Sequence, residues 1–244
     1  MKLFLFFIFF IPLNFSNAFT LSYLPASKFD NPEIVVNVTT DDCSAIGHTP
    51  ESFLDFVIEV ADEFWNSVST SAIHLKKGGK ISASFDGVTT ASGALSKVPV
   101  NTILVGCNTS LFSSSSTLGA GQISAPSGSR RGFFAVYTAG NYLQSSDSQK
   151  RAAIAHELGH SIGIGHSSDQ GALMYYSLSG KLQEHLGMDD RDAVSYLYPH
   201  DKLPGSCGTI STKRHQKGNY LSLFVLLVGT FIFSRRRSTF SPHY

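Results

Sequence analysis

Apolar positions along the chain change their period several times, and each change predicts an element. Ile34-Val35-Val36-Asn37-Val38 is a β-branched run suited to a buried strand. Thr49-Pro50-Glu51 then opens a helix, with Thr49 as cap and Pro50 in the first turn, where a missing N–H costs nothing. Phe53, Phe56, Val57, Val60, Phe64 and Val68 recur at helical spacing with acidic residues between them, and this stripe ends before Lys76-Lys77-Gly78-Gly79. Such a stripe belongs in a core. Ile81 to Phe85, Thr102 to Val105, Leu118 to Ile123 and Gly132 to Thr138 are the further strand candidates. A second helix is expected from about Ser148 or Gln149 to about Ile162, laying Ala152, Ile154, Ala155 and Ile162 on a sheet. Periodicity alone gives a mixed sheet with helices, an α/β arrangement.

Both ends of the chain follow a different pattern. Lys2 precedes the apolar run from Leu3 to Ile11, Pro12 and Asn14 close it, and Ser16-Asn17-Ala18 supplies small residues. The run is short for a membrane span, and it reads as a secretory signal, residues 1–18, cut after Ala18. Near the other end, Tyr220 to Phe233 is apolar apart from Ser222, Gly229 and Thr230, and Arg235-Arg236-Arg237 follows. As a helix that run rises about 21 Å, short of a hydrocarbon core of roughly 30 Å, so spanning would need local thinning or arginine snorkelling. We therefore expect a folded domain over 19–203, a linker over 204–219, a membrane or sorting helix over 220–234 and a basic tail over 235–244. A short motif, an apolar helix and an arginine cluster resemble the sorting tails of some bacterial surface proteins.

Composition narrows the partners. The 244 residues carry a formal net charge of +1 with no basic patch, which speaks against nucleic acid as a partner. Removing the two apolar ends leaves enough chain for one domain with a sizeable core, expected to be monomeric. Cys43 and Cys107 lie in that domain, and export into an oxidising compartment would permit a disulfide between them.

The chemistry concentrates in His156-Glu157-Leu158-Gly159-His160-Ser161-Ile162-Gly163-Ile164-Gly165-His166. On a helix, residues four apart project from one face, so His156 and His160 can reach one metal ion. Gly163 permits the turn that brings His166 back to join them. Three protein ligands leave a tetrahedral position open, which distinguishes a catalytic zinc from a structural one. Glu157, beside the first ligand but off its line, is placed for a general base rather than a fourth ligand.

Downstream, Met174 follows His166 by eight positions within Ser167 to Tyr176. This region resembles the metzincin clan of zinc proteases, whose methionine turn passes beneath the metal. Ser167, the run Ala172-Leu173-Met174-Tyr175, and Met188 to Tyr198 with its paired aspartates resemble the matrixins in particular, the family of matrix metalloproteinase-type catalytic domains. The resemblance implies a twisted, mixed five-stranded sheet with one antiparallel edge strand, an active-site helix and a C-terminal helix. It also implies a secreted or surface-anchored endopeptidase that uses one catalytic Zn²⁺ to cut extended polypeptides lying along the edge strand Leu118 to Ile123. Where matrixins have proline two residues after the methionine, this chain has Tyr176. That residue is open to two readings, a core tyrosine or a helper at the metal that stabilises the oxyanion or adds a ligand. No histidine occurs between His74 and His156 and no aspartate-rich loop precedes the site, so the family's structural zinc and calcium are not expected. The alternative function is a non-catalytic zinc-binding adhesion module on the same scaffold. A third reading is an enzyme whose terminal helix contributes to the site.

Overall fold

The structure is a computed structural model that describes residues 19–108, 110–112, 114, 116–176 and 185–200. The proposed signal, linker, terminal helix and basic tail lie outside these residues. Among the described residues no helix is long and apolar enough to cross a membrane.

The elements follow in the order β1 (Glu33–Val38), α1 (Pro50–Glu63), β2 (His74–Lys80), α2 (Ala91–Lys97), β3 (Thr102–Asn108), β4 (Gly119–Ile123), β5 (Arg131–Tyr137), α3 (Asn141–Gln144), α4 (Asp147–Ser161) and α5 (Met188–Leu197). The strands form one sheet in the order β2-β1-β3-β5-β4. All neighbours are parallel except β4 on β5, where Gly119 pairs with Val136 and Ile123 with Gly132. The family resemblance implied this architecture: a five-stranded mixed sheet whose antiparallel strand stands at one edge.

Period-two alternation divides the sheet's side chains between two cores. Ile103, Val105, Phe134 and Val136 join the large cluster beneath α1 and α4, with Trp65, Ile154, Leu158 and Leu173. Leu104, Phe133 and Ala135 face the opposite way, onto Phe85, Ala94 and Val98. A strand covered on both sides reads as a continuous apolar run, which explains why β3 and β5 are clear in the sequence. Strand β1, buried on one face, is marked by its β-branched residues.

Helix α1 starts where its cap requires, because the Thr49 side chain accepts from the Ser52 N–H at 3.2 Å. It ends at Glu63, earlier than the apolar stripe predicts. Phe64 and Val68 remain buried, but from the turns that follow the helix. The stretch containing Lys76 and Lys77 is strand β2 rather than the close of a helical region. This strand pairs only with β1 and stays polar: Lys76 pairs with Glu33, Lys77 with Asp55 and Lys80 with Glu51. Charged side chains suit an exposed sheet edge and conceal it from a search for apolar runs. Ile81 to Phe85 is not a strand, and its burial of Phe85 comes from loop packing under α2. Helix α2 itself, capped by Thr90 on the Gly93 N–H, carries too weak a stripe to be anticipated.

Cys43 and Cys107 are joined, with Cα atoms 5.5 Å apart and a sequence separation of 64. The bond ties the loop after β1 to the end of β3.

Candidate metal centre

Helix α4 is fixed at its start by a capping box, in which Ser146 accepts from the Gln149 N–H and the Gln149 side chain accepts from the Ser146 N–H. Its apolar face rests on the sheet, and Trp65 Nε1 donates to the Ala155 carbonyl at 2.8 Å. His156 and His160 stand one turn apart on this anchored helix. The helix stops at Ser161. Gly163 then takes φ +108°, a conformation few other residues adopt, and the chain reverses. His166 thereby joins the helical pair. Ring centroids are 4.8 Å apart for His156 and His160, 4.6 Å for His160 and His166, and 5.3 Å for His156 and His166.

The rings are oriented as well as gathered. His156 Nδ1 lies 2.8 Å from the Leu173 carbonyl and His160 Nδ1 lies 2.9 Å from the Ile164 carbonyl. A carbonyl only accepts, so both Nδ1 atoms are the protonated ones and both Nε2 atoms present lone pairs to the common centre. One nitrogen from each of the three residues lies within 4.8 Å of the others, as a shared cation needs. Burial pushes the His156 ring down to about 4 and the His160 ring down to about 3, and it lowers His166 as well. Neutral imidazole is the ligating form, so this donor set fits zinc.

Glu157 points from α4 towards the edge strand. Burial pushes its carboxyl up to about 8, while a backbone hydrogen bond from Gly121 acts in the opposite direction. A divalent cation on the adjacent rings would also oppose the upward shift. Gly119 and Gly121 carry no side chain because there is no room for one. A Cβ at Gly119 would stand 2.8 Å from Glu157 Cγ, and one at Gly121 would run into the Glu157 carbonyl. The glycines of β4 therefore seat the edge strand on the acidic residue. Nothing in the run Leu118 to Ile123 identified that partner, although glycines spaced two apart in a strand do mark one face as crowded.

Met174 packs against the site helix at Gly159. A Cβ at Gly159, the residue before His160 on α4, would collide with Met174 Sδ and stand 2.9 Å from Trp65 Cζ2. The methionine turn is held by α5. Asp190 accepts from the N–H groups of Leu173 at 2.6 Å, Met174 at 3.0 Å and Gly187 at 2.8 Å. Asp189 accepts from the Ser167 hydroxyl. Burial raises the Asp190 carboxyl and the three backbone donors pull it back, the balance remaining upward. The paired aspartates were visible in the sequence as part of a resemblance, but their role as supports of the turn was not.

Tyr176 is 67 % exposed and its ring lies against Tyr175, with centroids 4.3 Å apart. It is not a core tyrosine. The structure brings together His156, His160, His166, Glu157 and Met174, and it places Cys43 and Cys107 in the disulfide between β1 and β3.

Comparison with known proteins agrees with this geometry. Residues 58–199, more than half of the chain, match the family model described as matrixin. Matrix metalloproteinase-18 of Xenopus laevis is 36 % identical over 92 residues, covering 36 % of this chain and 20 % of that protein. Interstitial collagenase of Oryctolagus cuniculus is 50 % identical over 52 residues, 20 % of this chain and 11 % of that protein. Metalloendoproteinase 1-MMP of Arabidopsis thaliana is 37 % identical over 90 residues, 32 % of this chain and 24 % of that protein. The chain thus spans a quarter or less of the length of these relatives. With a family match over most of the domain and a histidine cluster on the helix and turn where the motif puts it, the chain belongs to the matrixin family.

Proposed function

We propose that the protein is an exported zinc-dependent endopeptidase that hydrolyses peptide bonds in extended polypeptides. The observation carrying this reading is the convergence of His156, His160 and His166, two of them with Nδ1 committed to backbone carbonyls, beside a carboxylate on the same helix. Those three residues would hold the ion. Bound there, zinc supplies Lewis acidity, which acidifies a water molecule and polarises a carbonyl.

The protein's own groups do the rest. Glu157 accepts the proton of the attacking water and delivers it to the leaving amine, a transfer that a carboxyl raised towards neutrality performs well in both directions. Strand β4 pairs with β5 on one side, and its free edge offers backbone groups to an extended substrate. Tyr176, exposed two residues beyond Met174, is available as a donor to the oxyanion. A substrate pressed against β4 and the imidazoles loses water, which strengthens each of these interactions.

Export is supported by the apolar run before Ala18 and by the disulfide, a bond that persists in oxidising compartments. The apolar stretch 220–234 with Arg235 to Arg237 supports attachment to a membrane, retained or removed on processing.

The test is cleavage of casein and of a quenched fluorescent peptide, with metal analysis of the same preparation. We expect one zinc per chain, activity abolished by chelator and restored by zinc, and a Glu157→Gln variant that holds zinc without cutting. A protein that binds zinc and cuts nothing would instead be the non-catalytic module. A variant ending at His200 that retains full activity excludes a part for the terminal helix in the chemistry.

A further inference from the structure

We propose that residues 20–22 act as a clamp on the third metal ligand, with Thr20 as its positioning residue. The inference rests on reading His156, His160 and His166 as a zinc site. Two of these ligands are placed by a helix and by carbonyls at Nδ1. His166 stands in a loop beyond the Gly163 turn, so its ring is only as well placed as its backbone.

The segment that holds that backbone comes from the other end of the domain. Leu21 forms an antiparallel bridge with Ile164. The Ser22 N–H donates to the Gly163 carbonyl at 3.0 Å, and the Gly165 N–H donates to the Thr20 carbonyl at 2.9 Å. Two hydroxyls complete the clamp. Thr20 Oγ1 donates to the carbonyl of His166 itself. Ser22 Oγ donates to the Ile164 carbonyl at 3.0 Å, the same carbonyl that orients the His160 ring. The strap therefore touches the supports of two ligands.

Its approach is close enough to dictate sequence in the motif. A Cβ at Gly165 would stand 2.6 Å from Thr20 Oγ1 and 3.0 Å from the Leu21 carbonyl carbon, and one at Gly163 would meet the Ser27 carbonyl. Gly165 is thus fitted to this segment, and Gly163 to the chain a few residues beyond it, as well as to the turn. Groups that orient a metal's ligands contribute to its affinity although they never touch the ion.

The experiment uses the full chain, with zinc affinity read by competition with a chromophoric chelator and ligand geometry read from the visible spectrum of the cobalt(II)-loaded protein. Thr20→Val keeps the shape of the side chain and removes the donor. We expect its zinc dissociation constant to rise by about tenfold, with a changed intensity of the cobalt bands. Thr20→Ser, which restores the hydroxyl, should return both towards wild type. Far-ultraviolet circular dichroism on each variant separates a loosened ligand from a lost fold. If Thr20→Val matches wild type in affinity and spectrum, or if Thr20→Ser fails to rescue a loss, the clamp is overturned while the zinc site stands. If the wild-type chain takes up neither metal, the site reading fails and the clamp falls with it.

Discussion

Two loops of this domain each hang on a buried aspartate, and they are secured in different ways. At one pole, Asp41 accepts from the Ser84 hydroxyl and, at 2.8 Å, from the Phe85 N–H, and two residues later the chain is bonded covalently through Cys43 to Cys107. At the other, Asp190 accepts three backbone N–H groups and Asp189 the Ser167 hydroxyl, and no covalent link joins them. The first pole is closed whether or not an ion is present. The second is a ring of polar contacts around a place where three imidazoles meet. Stability and chemistry are thus assigned to different loops of one domain, and mutations in the two regions should separate them.

The sharpest separation comes from Glu157. Glu157→Gln should lower kcat/KM by on the order of 10³-fold while thermal unfolding and zinc content stay unchanged, which steady-state kinetics, calorimetry and atomic absorption on one preparation would show. A large loss of stability in that variant would mean that the two regions are not separable. At the covalent pole, the disulfide spans 64 residues and its loss should destabilise the fold by about 4 kcal/mol in the chain-entropy account. Urea unfolding of a Cys43→Ser, Cys107→Ser double variant measures this, and zinc affinity should not follow.

Asp190→Ala should cost about 3 kcal/mol, since three backbone donors lose their acceptor. Unlike the cysteine variant, it should also weaken zinc binding, because it frees the floor on which Met174 and the Leu173 carbonyl sit; equal zinc affinity would break the comparison. Gly119→Ala should cost about 1–2 kcal/mol by crowding Glu157 Cγ at 2.8 Å, with a larger effect on kcat than on KM. The smallest change is expected for Arg151→Ala. Its pairs with Glu59 at 3.3 Å and Glu63 at 2.7 Å link α4 to α1 at the surface, where such pairs contribute under about 1 kcal/mol.

The histidine triad, the site helix and four of the five strands were legible because each shows in local pattern. Ligand spacing, a capped helix, and β-branched or apolar runs between turn residues show in any short window of sequence. Strand β2 was not legible, since it is a polar edge whose lysines answer acidic residues of β1 and α1 far away in sequence. The readings of Tyr176 failed in part for a related reason: exposure depends on neighbours, and a tyrosine carries both an apolar ring and a hydroxyl. Most of what surrounds the site was hidden for the same cause. Thr20, Gly121, Trp65 and Asp190 act on residues distant in the chain, and no local pattern marks such contacts.

Chain order gives the arrangement of the methionine turn a consequence during synthesis. All three imidazoles have been translated by residue 166, but the carboxylates that fix the floor under them arrive at 189 and 190. A nascent chain emerging from the ribosome therefore carries a complete set of ligands over an unsupported loop, with the backbone N–H groups of Leu173 and Met174 still lacking their acceptor. The centre gains this support only when α5 docks. A truncated translation product that ends before it would contain the whole signature motif without the device that makes the motif work.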